Sequence, residues 1–152
     1  MKRLALVFAA LTFSAAMMAQ APSSTGNAQT AATVKKATDY IKFKTMVYDF
    51  GKIKQGVPVT CEFGFTNISD KPLVIESATA SCGCTTPIKP EAPIGAGKSD
   101  KITAGYNAGN LGTFTKSIYV KLAGIDAPVE IKITGNVLTA DEYSKLDQSK
   151  KG

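Results

Sequence analysis

The sequence predicts an all-β chain folded as an antiparallel sandwich of about seven strands. Three observations carry this reading. Apolar residues recur at every second position in several short runs, and breaks rich in Gly, Pro, Asn and Asp separate those runs. No segment between residues 39 and 138 sustains a 3.6-residue period, which disfavours a parallel sheet with crossover helices. Successive side chains on a strand point to opposite faces, so each run has one core face and one solvated face. The span of about 100 residues is the size of an immunoglobulin-like sandwich.

The runs follow in order. Ile41, Phe43 and Thr45 alternate with Lys42 and Lys44. Val57, Val59, Cys61, Phe63 and Phe65 share one face, opposed by Thr60, Glu62, Gly64 and Thr66. Leu73 and Ile75 begin another strand. Ile102, Ala104 and Tyr106 alternate with Lys101, Thr103 and Gly105. Phe114, Ile118, Val120 and Leu122 form the next apolar face, and Val129, Ile131, Ile133 and Val137 the last. Turn signals lie at Gly51 and Gly56 and at residues 67–72, 95–98, 107–112 and 124–128.

The flanks have a different character. Lys2 and Arg3 precede an apolar run over residues 4–18, with small residues at Ala19 and Ala21. A basic start, a short apolar region and a small-residue exit predict a signal peptide over residues 1–19. The run falls short of the ~20 residues a spanning helix needs. Pro22 argues against cleavage after Ala21, and no cysteine follows the run to take a lipid. The expectation is an exported chain, periplasmic or extracellular, with no membrane span after signal removal. Residues 20–38, poor in apolar side chains, predict a flexible linker. Residues 139–152 predict a polar tail with a short helix around residues 141–146.

Loss of Lys2 and Arg3 takes the net charge from +6 to +4. The remaining lysines are scattered, densest in the tail, and there is no Trp. A nucleic-acid reader would carry a concentrated basic face with aromatic platforms, so nucleic acid is not the expected partner.

The chain has no histidine. Triads of the Ser-His and Cys-His kinds are therefore excluded, as are imidazole zinc sites. Asp49, Glu62, Asp70, Glu76, Glu91, Asp100 and Glu130 fall on polar faces or in turns, where solvated charge is the ordinary explanation. Gly95-Ala96-Gly97-Lys98-Ser99 is not a phosphate loop: Ala92 stands where the first glycine is required, and a strand rather than a helix follows. Asn67-Ile68-Ser69 matches a glycosylation acceptor but reads most simply as a turn. The expectation is a non-enzyme without a cofactor.

The three cysteines, Cys61, Cys82 and Cys84, are the informative feature. Export implies a setting where disulfides persist, and an odd number leaves one thiol over. Residues i and i+2 on an extended strand lie about 6.5 Å apart, near the upper limit for a disulfide, so a Cys82–Cys84 bond would need a turn at Gly83. Four arrangements compete. One of the pair bonds Cys61; all three stay reduced and packed; Cys82 and Cys84 form a redox pair; or their thiolates hold a soft metal such as Cu(I). A third metal ligand would have to be Cys61 or a methionine such as Met46.

Asp49-Phe50-Gly51, Phe63-Gly64-Phe65-Thr66-Asn67, Pro72-Leu73, Ser81-Cys82-Gly83-Cys84-Thr85, a glycine turn near Gly95, Gly112-Thr113-Phe114 and Lys116 together resemble the secreted bacterial family called domain of unknown function 1573, over about residues 41–137. The resemblance implies an immunoglobulin-like sandwich of the Hydin-type and major-sperm-protein-like kind, and export by Bacteroides-like bacteria. It transfers no catalytic residues. The turn at 67–70 and Cys61 depart from the family pattern. The expected function is an exported interaction or structural module that meets a protein partner through an edge strand. The alternative is a Cu(I) or redox protein centred on Cys82 and Cys84.

Overall fold

The computed structural model of the protein describes residues 35–150. Eight strands follow a single 3-10 turn at Ala37–Asp39: β1 (Ile41–Phe43), β2 (Val47–Lys54), β3 (Val59–Asn67), β4 (Ile75–Ala80), β5 (Thr85–Ile88), β6 (Ser99–Tyr106), β7 (Gly112–Leu122) and β8 (Val129–Leu138). A helix, α1 (Ala140–Lys150), ends the described chain. The strands form two four-stranded sheets, in the orders β1-β3-β6-β5 and β2-β8-β7-β4. The fold is an immunoglobulin-like sandwich.

The inward faces are those the alternation predicts, except that Val57, expected on the inner face of the Val59–Phe65 run, precedes β3 and is exposed. Phe63, Phe65 and Ile102 of one sheet, and Ile75, Ile118, Leu122, Ile131 and Ile133 of the other, are almost wholly excluded from solvent. Each such side chain contributes about 1.5–3 kcal/mol by burial. Tyr106 stacks on Phe114 across the two sheets, with ring centroids 4.1 Å apart. Among the described residues, no buried side-chain nitrogen or oxygen lacks a hydrogen-bond partner.

Two strands escape the sequence pattern. β2 pairs with β8 in parallel, a departure from an antiparallel sandwich. The cause is local: after β1 the chain does not reverse but steps across to the other sheet, a step shaped by the Thr45 hydroxyl donating to the Val47 carbonyl at 2.8 Å. Thr45 thus lies beyond β1, which ends at Phe43. Gly51, expected as a break, is instead a bulge inside β2. It sits at φ +65°, its amide donates to the Asp49 carboxylate at 2.9 Å, and the register with β8 shifts between Asp49 and Lys52. The bulge disrupts alternation, leaving residues 47–49 exposed and Ile53 buried. β5, at the edge of its sheet, is four residues long and contains Pro87, which period-2 reading passes over.

Residues just before position 39 also pack onto the sandwich. Lys36 bridges to Ala127, and the buried Ala37 donates its amide to the Ala127 carbonyl at 3.1 Å. The expected signal peptide and most of the expected linker, residues 1–34, lie outside the described residues. No helix among the described residues is long and apolar enough to cross a membrane.

Candidate functional site

The two flanks of the sandwich, where the sheets present their edges, hold its chemistry. On the first, the chain leaves β4, turns through residues 81–84 and enters β5 in the other sheet. Cys82 and Cys84 are joined here by a disulfide, with Cα atoms 5.3 Å apart. That is closer than an extended strand allows, because residues 81–84 form a bend and turn. Gly83 does not use a positive φ, and a Cβ placed on it would meet nothing within 4 Å. Backbone bonds anchor the turn. Ser81 donates its amide to Ser117 at 2.9 Å, Thr85 donates to the Cys82 carbonyl at 3.4 Å, and Asn107 donates to the Cys84 carbonyl at 3.1 Å. The buried Thr85 hydroxyl lies 3.6 Å from Cys82 Sγ. A disulfide sulfur carries no hydrogen, so the hydroxyl is the donor.

Cys61, a disulfide candidate by sequence, is a buried free thiol. Topology explains why it is unpaired. Cys61 faces Ala104 on β6, and Ala104 faces Pro87 on β5, three residues beyond Cys84. Two strand spacings and three residues put Cys61 well over the ~7 Å a disulfide permits. Loss of solvent pushes its pKa up to about 11.

The other proposed soft-metal ligand is also remote. The Met46 carbonyl accepts from Lys132, Lys132 faces Ser117, and Ser117 accepts from Ser81. Three strand spacings, about 14 Å, therefore separate Met46 from the cysteine turn. The structure brings Cys82 and Cys84 together and neither Cys61 nor Met46 to them. Among the described residues, no group of three or more His, Cys, Asp or Glu could hold a metal ion.

Most of the remaining acidic candidates have structural partners. Glu62, Glu76, Glu91 and Glu130 pair at the surface with Lys101, Lys121, Lys89 and Lys132. Hydrogen bonds from Ser117 and Lys132 lower the Glu130 pKa. The glycine turn at residues 95–98 closes with Lys98 donating to Gly95 at 3.0 Å and leads into β6. Asn67 is fully buried and engaged through both ends of its carboxamide, so in the folded chain it is not a glycosylation acceptor.

The second flank was not singled out by sequence. β1 pairs only with Phe65, Thr66 and Asn67, the last third of β3. The Lys44 amide donates to Gly64 at 2.9 Å, and the chain then departs for the other sheet. Backbone groups alternate sides along a strand, so the amides and carbonyls of Thr60 and Glu62 point to the same flank as the Gly64 carbonyl. No strand among the described residues meets them there. Exposed apolar side chains lie beside this gap: Val57, which precedes β3, and Tyr48 of β2, whose ring is 6.5 Å from that of Phe63. Met46 and Val47, just before Tyr48 in the chain, are exposed as well. The signal available in sequence was the switch of Lys42 and Lys44 to Val47 and Tyr48, which breaks the alternation.

No curated protein matches the sequence. Among solved structures, a protein of unknown function from Porphyromonas gingivalis W83 is similar at TM-score 0.54 and 14% identity, over 72% of this chain and 51% of that one. The VesB protease of Vibrio cholerae is similar at 0.53 and 16%, over 66% and 33%. The ASH/PapD-like domain 7 of human CEP192 is similar at 0.52 and 7%, over 88% and 99%. This chain therefore spans about half of the first protein and a third of the second, and likeness at such identities shows the fold alone. Residues 41–137, nearly the whole sandwich, match the family described as "Protein of unknown function (DUF1573)", and the chain belongs to that family.

Proposed function

We propose that this chain is an exported, non-catalytic module that binds a protein partner by accepting an extended segment at the open flank of β3. The observation that carries this is the half-covered edge. β1 stops at Phe43, and the backbone groups of Thr60 and Glu62 are left facing outward beside Tyr48 and Val57. An added strand gains affinity from main-chain hydrogen bonds and specificity from pockets for alternate side chains. The other edges are poorer acceptors: β5 carries Pro87, β4 has a register shift between Ile75 and Ser77, and β2 is broken by the bulge at Gly51. Lys44, whose stem lies over Gly64, borders the gap and discourages self-association. Export rests on the basic start and short apolar run at the head of the sequence.

A photo-crosslinking side chain at position 57, introduced into the full chain in its native cell, tests the reading. The expected result is a crosslink to one extracytoplasmic protein, lost in Thr60→Pro, which deletes an outward amide without touching the β3–β6 ladder. A control crosslinker at position 121, on the opposite sheet, is expected to give none. Equal labelling from both positions, or crosslinks indifferent to Thr60→Pro in a chain of unchanged melting temperature, would discard it.

A further inference from the structure

The Cys82–Cys84 bond closes a ring of three residues. Loop-closure stabilisation grows with the logarithm of ring size, so this bond constrains the unfolded chain far less than an inter-sheet bridge would. The core is made of the buried apolar side chains of both sheets, and the pair meets it only at the margin, through the half-buried Cys84. The bond instead lies half-exposed on a crossover turn, with Gly83 exposed between the cysteines and open space over it. We propose that Cys82–Cys84 is a reversible thiol–disulfide exchange site, opened by a dithiol reductant and closed by a disulfide oxidant while the sandwich stays folded.

The atoms balance as follows. A thiolate of the reductant attacks Cys84 Sγ, the bond between the two cysteines breaks, and Cys82 Sγ leaves with the electron pair. The Thr85 hydroxyl, already aimed at Cys82 Sγ, stabilises that departing thiolate. The reductant's second thiol then attacks the mixed disulfide and releases Cys84. Two electrons and two protons pass to the protein, and the reductant ends as a disulfide. Closure is the reverse, with a disulfide as the electron acceptor. Cys61 takes no part: it is buried, two strands away, and desolvation keeps it a thiol. The pair therefore cycles without scrambling onto the third cysteine.

The full chain, oxidised and folded, is treated with dithiothreitol, and timed samples are alkylated with iodoacetamide and mapped by mass spectrometry. Cys82 and Cys84 are expected to become alkylated at least about 100-fold faster than Cys61, with the circular dichroism unchanged. Oxidised glutathione is expected to restore the alkylation-resistant pair. Thr85→Val is expected to slow reduction about tenfold with the melting temperature retained, since it removes the donor but keeps the shape. Four outcomes would overturn the proposal. They are reduction only in denaturant, unfolding on reduction, a reduced pair that does not reclose, or a Thr85→Val chain reduced at the parent rate.

Discussion

Asn67 holds Ser69 through a single carboxamide oxygen, which accepts from the Ser69 amide at 2.9 Å and its hydroxyl at 2.7 Å. The Asn67 nitrogen faces the carbonyls of Lys71, Ile94 and Gly95 at 2.8, 2.9 and 3.2 Å. One buried side chain thus ties the end of β3 to the turns on either side. Asn67→Ala leaves several of these groups without a partner, and a loss of about 3 kcal/mol is expected, at 1–3 kcal/mol for each buried group left unpaired. Urea unfolding of the variant measures it. A midpoint within error of the parent would refute this account of the turn.

Gly135 makes room for an aromatic ring. A Cβ there would lie 2.8 Å from two ring carbons of Phe114 and 3.1 Å from the Gly51 carbonyl, at the β2 bulge. Gly135→Ala is expected to cost about 1–3 kcal/mol, the usual range for overpacking a closed core. Gly105→Ala, where the nearest atom is 3.7 Å away, is the matched control and is expected to cost under about 1 kcal/mol. Thermal unfolding of the two side by side decides the matter.

Cys61 behaves as a small apolar residue. Cys61→Ser buries a hydroxyl in an apolar setting and is expected to destabilise by about 1–3 kcal/mol. Cys61→Val is expected to be tolerated within about 1.5 kcal/mol, being close in volume. If the serine variant matches the valine variant in chemical denaturation, the site is wetter than its burial indicates.

The start of α1 is capped by a reciprocal pair. The Thr139 amide and hydroxyl donate to the Glu142 carboxylate at 3.0 and 2.8 Å, and the Glu142 amide donates back to the Thr139 hydroxyl at 3.3 Å. The backbone bond from Thr139, then its hydroxyl, lowers the Glu142 pKa from 4.5. A lowered folded-state pKa means that the cap is fully present above about pH 4.5 and lost as the pH falls through the lower, folded value. Amide resonances of α1 are expected to lose helical shifts on acidification while those of the sheets hold. Thr139→Ala is expected to show weaker helical shifts at neutral pH and a smaller acid change. An acid response identical to the parent would remove Glu142 as its cause.

The sandwich was legible in the sequence wherever one face is dry and the other wet. β3, β6, β7 and β8 fulfil that condition, and their inward residues are the ones the alternation names. β2 was hidden because its bulge resets which side chains face inward, and β5 because a four-residue edge strand with a proline has no period to detect. The cysteine pair was visible as a motif, but its bonding was not. Whether Cys61 can reach Cys84 depends on strand order, which no local pattern encodes. The open flank of β3 was invisible for the same reason, since it is defined by where β1 stops relative to a partner more than twenty positions away.

β8 lies between β2 and β7, yet follows every other strand in the chain. Emerging from a ribosome, β2 waits for a neighbour that appears about 85 residues later, so the second sheet is completed only when β8 has been made, although β4 and β7 can pair before it. Closure of that sheet, and with it of the core between the two layers, is timed by the last of the described strands.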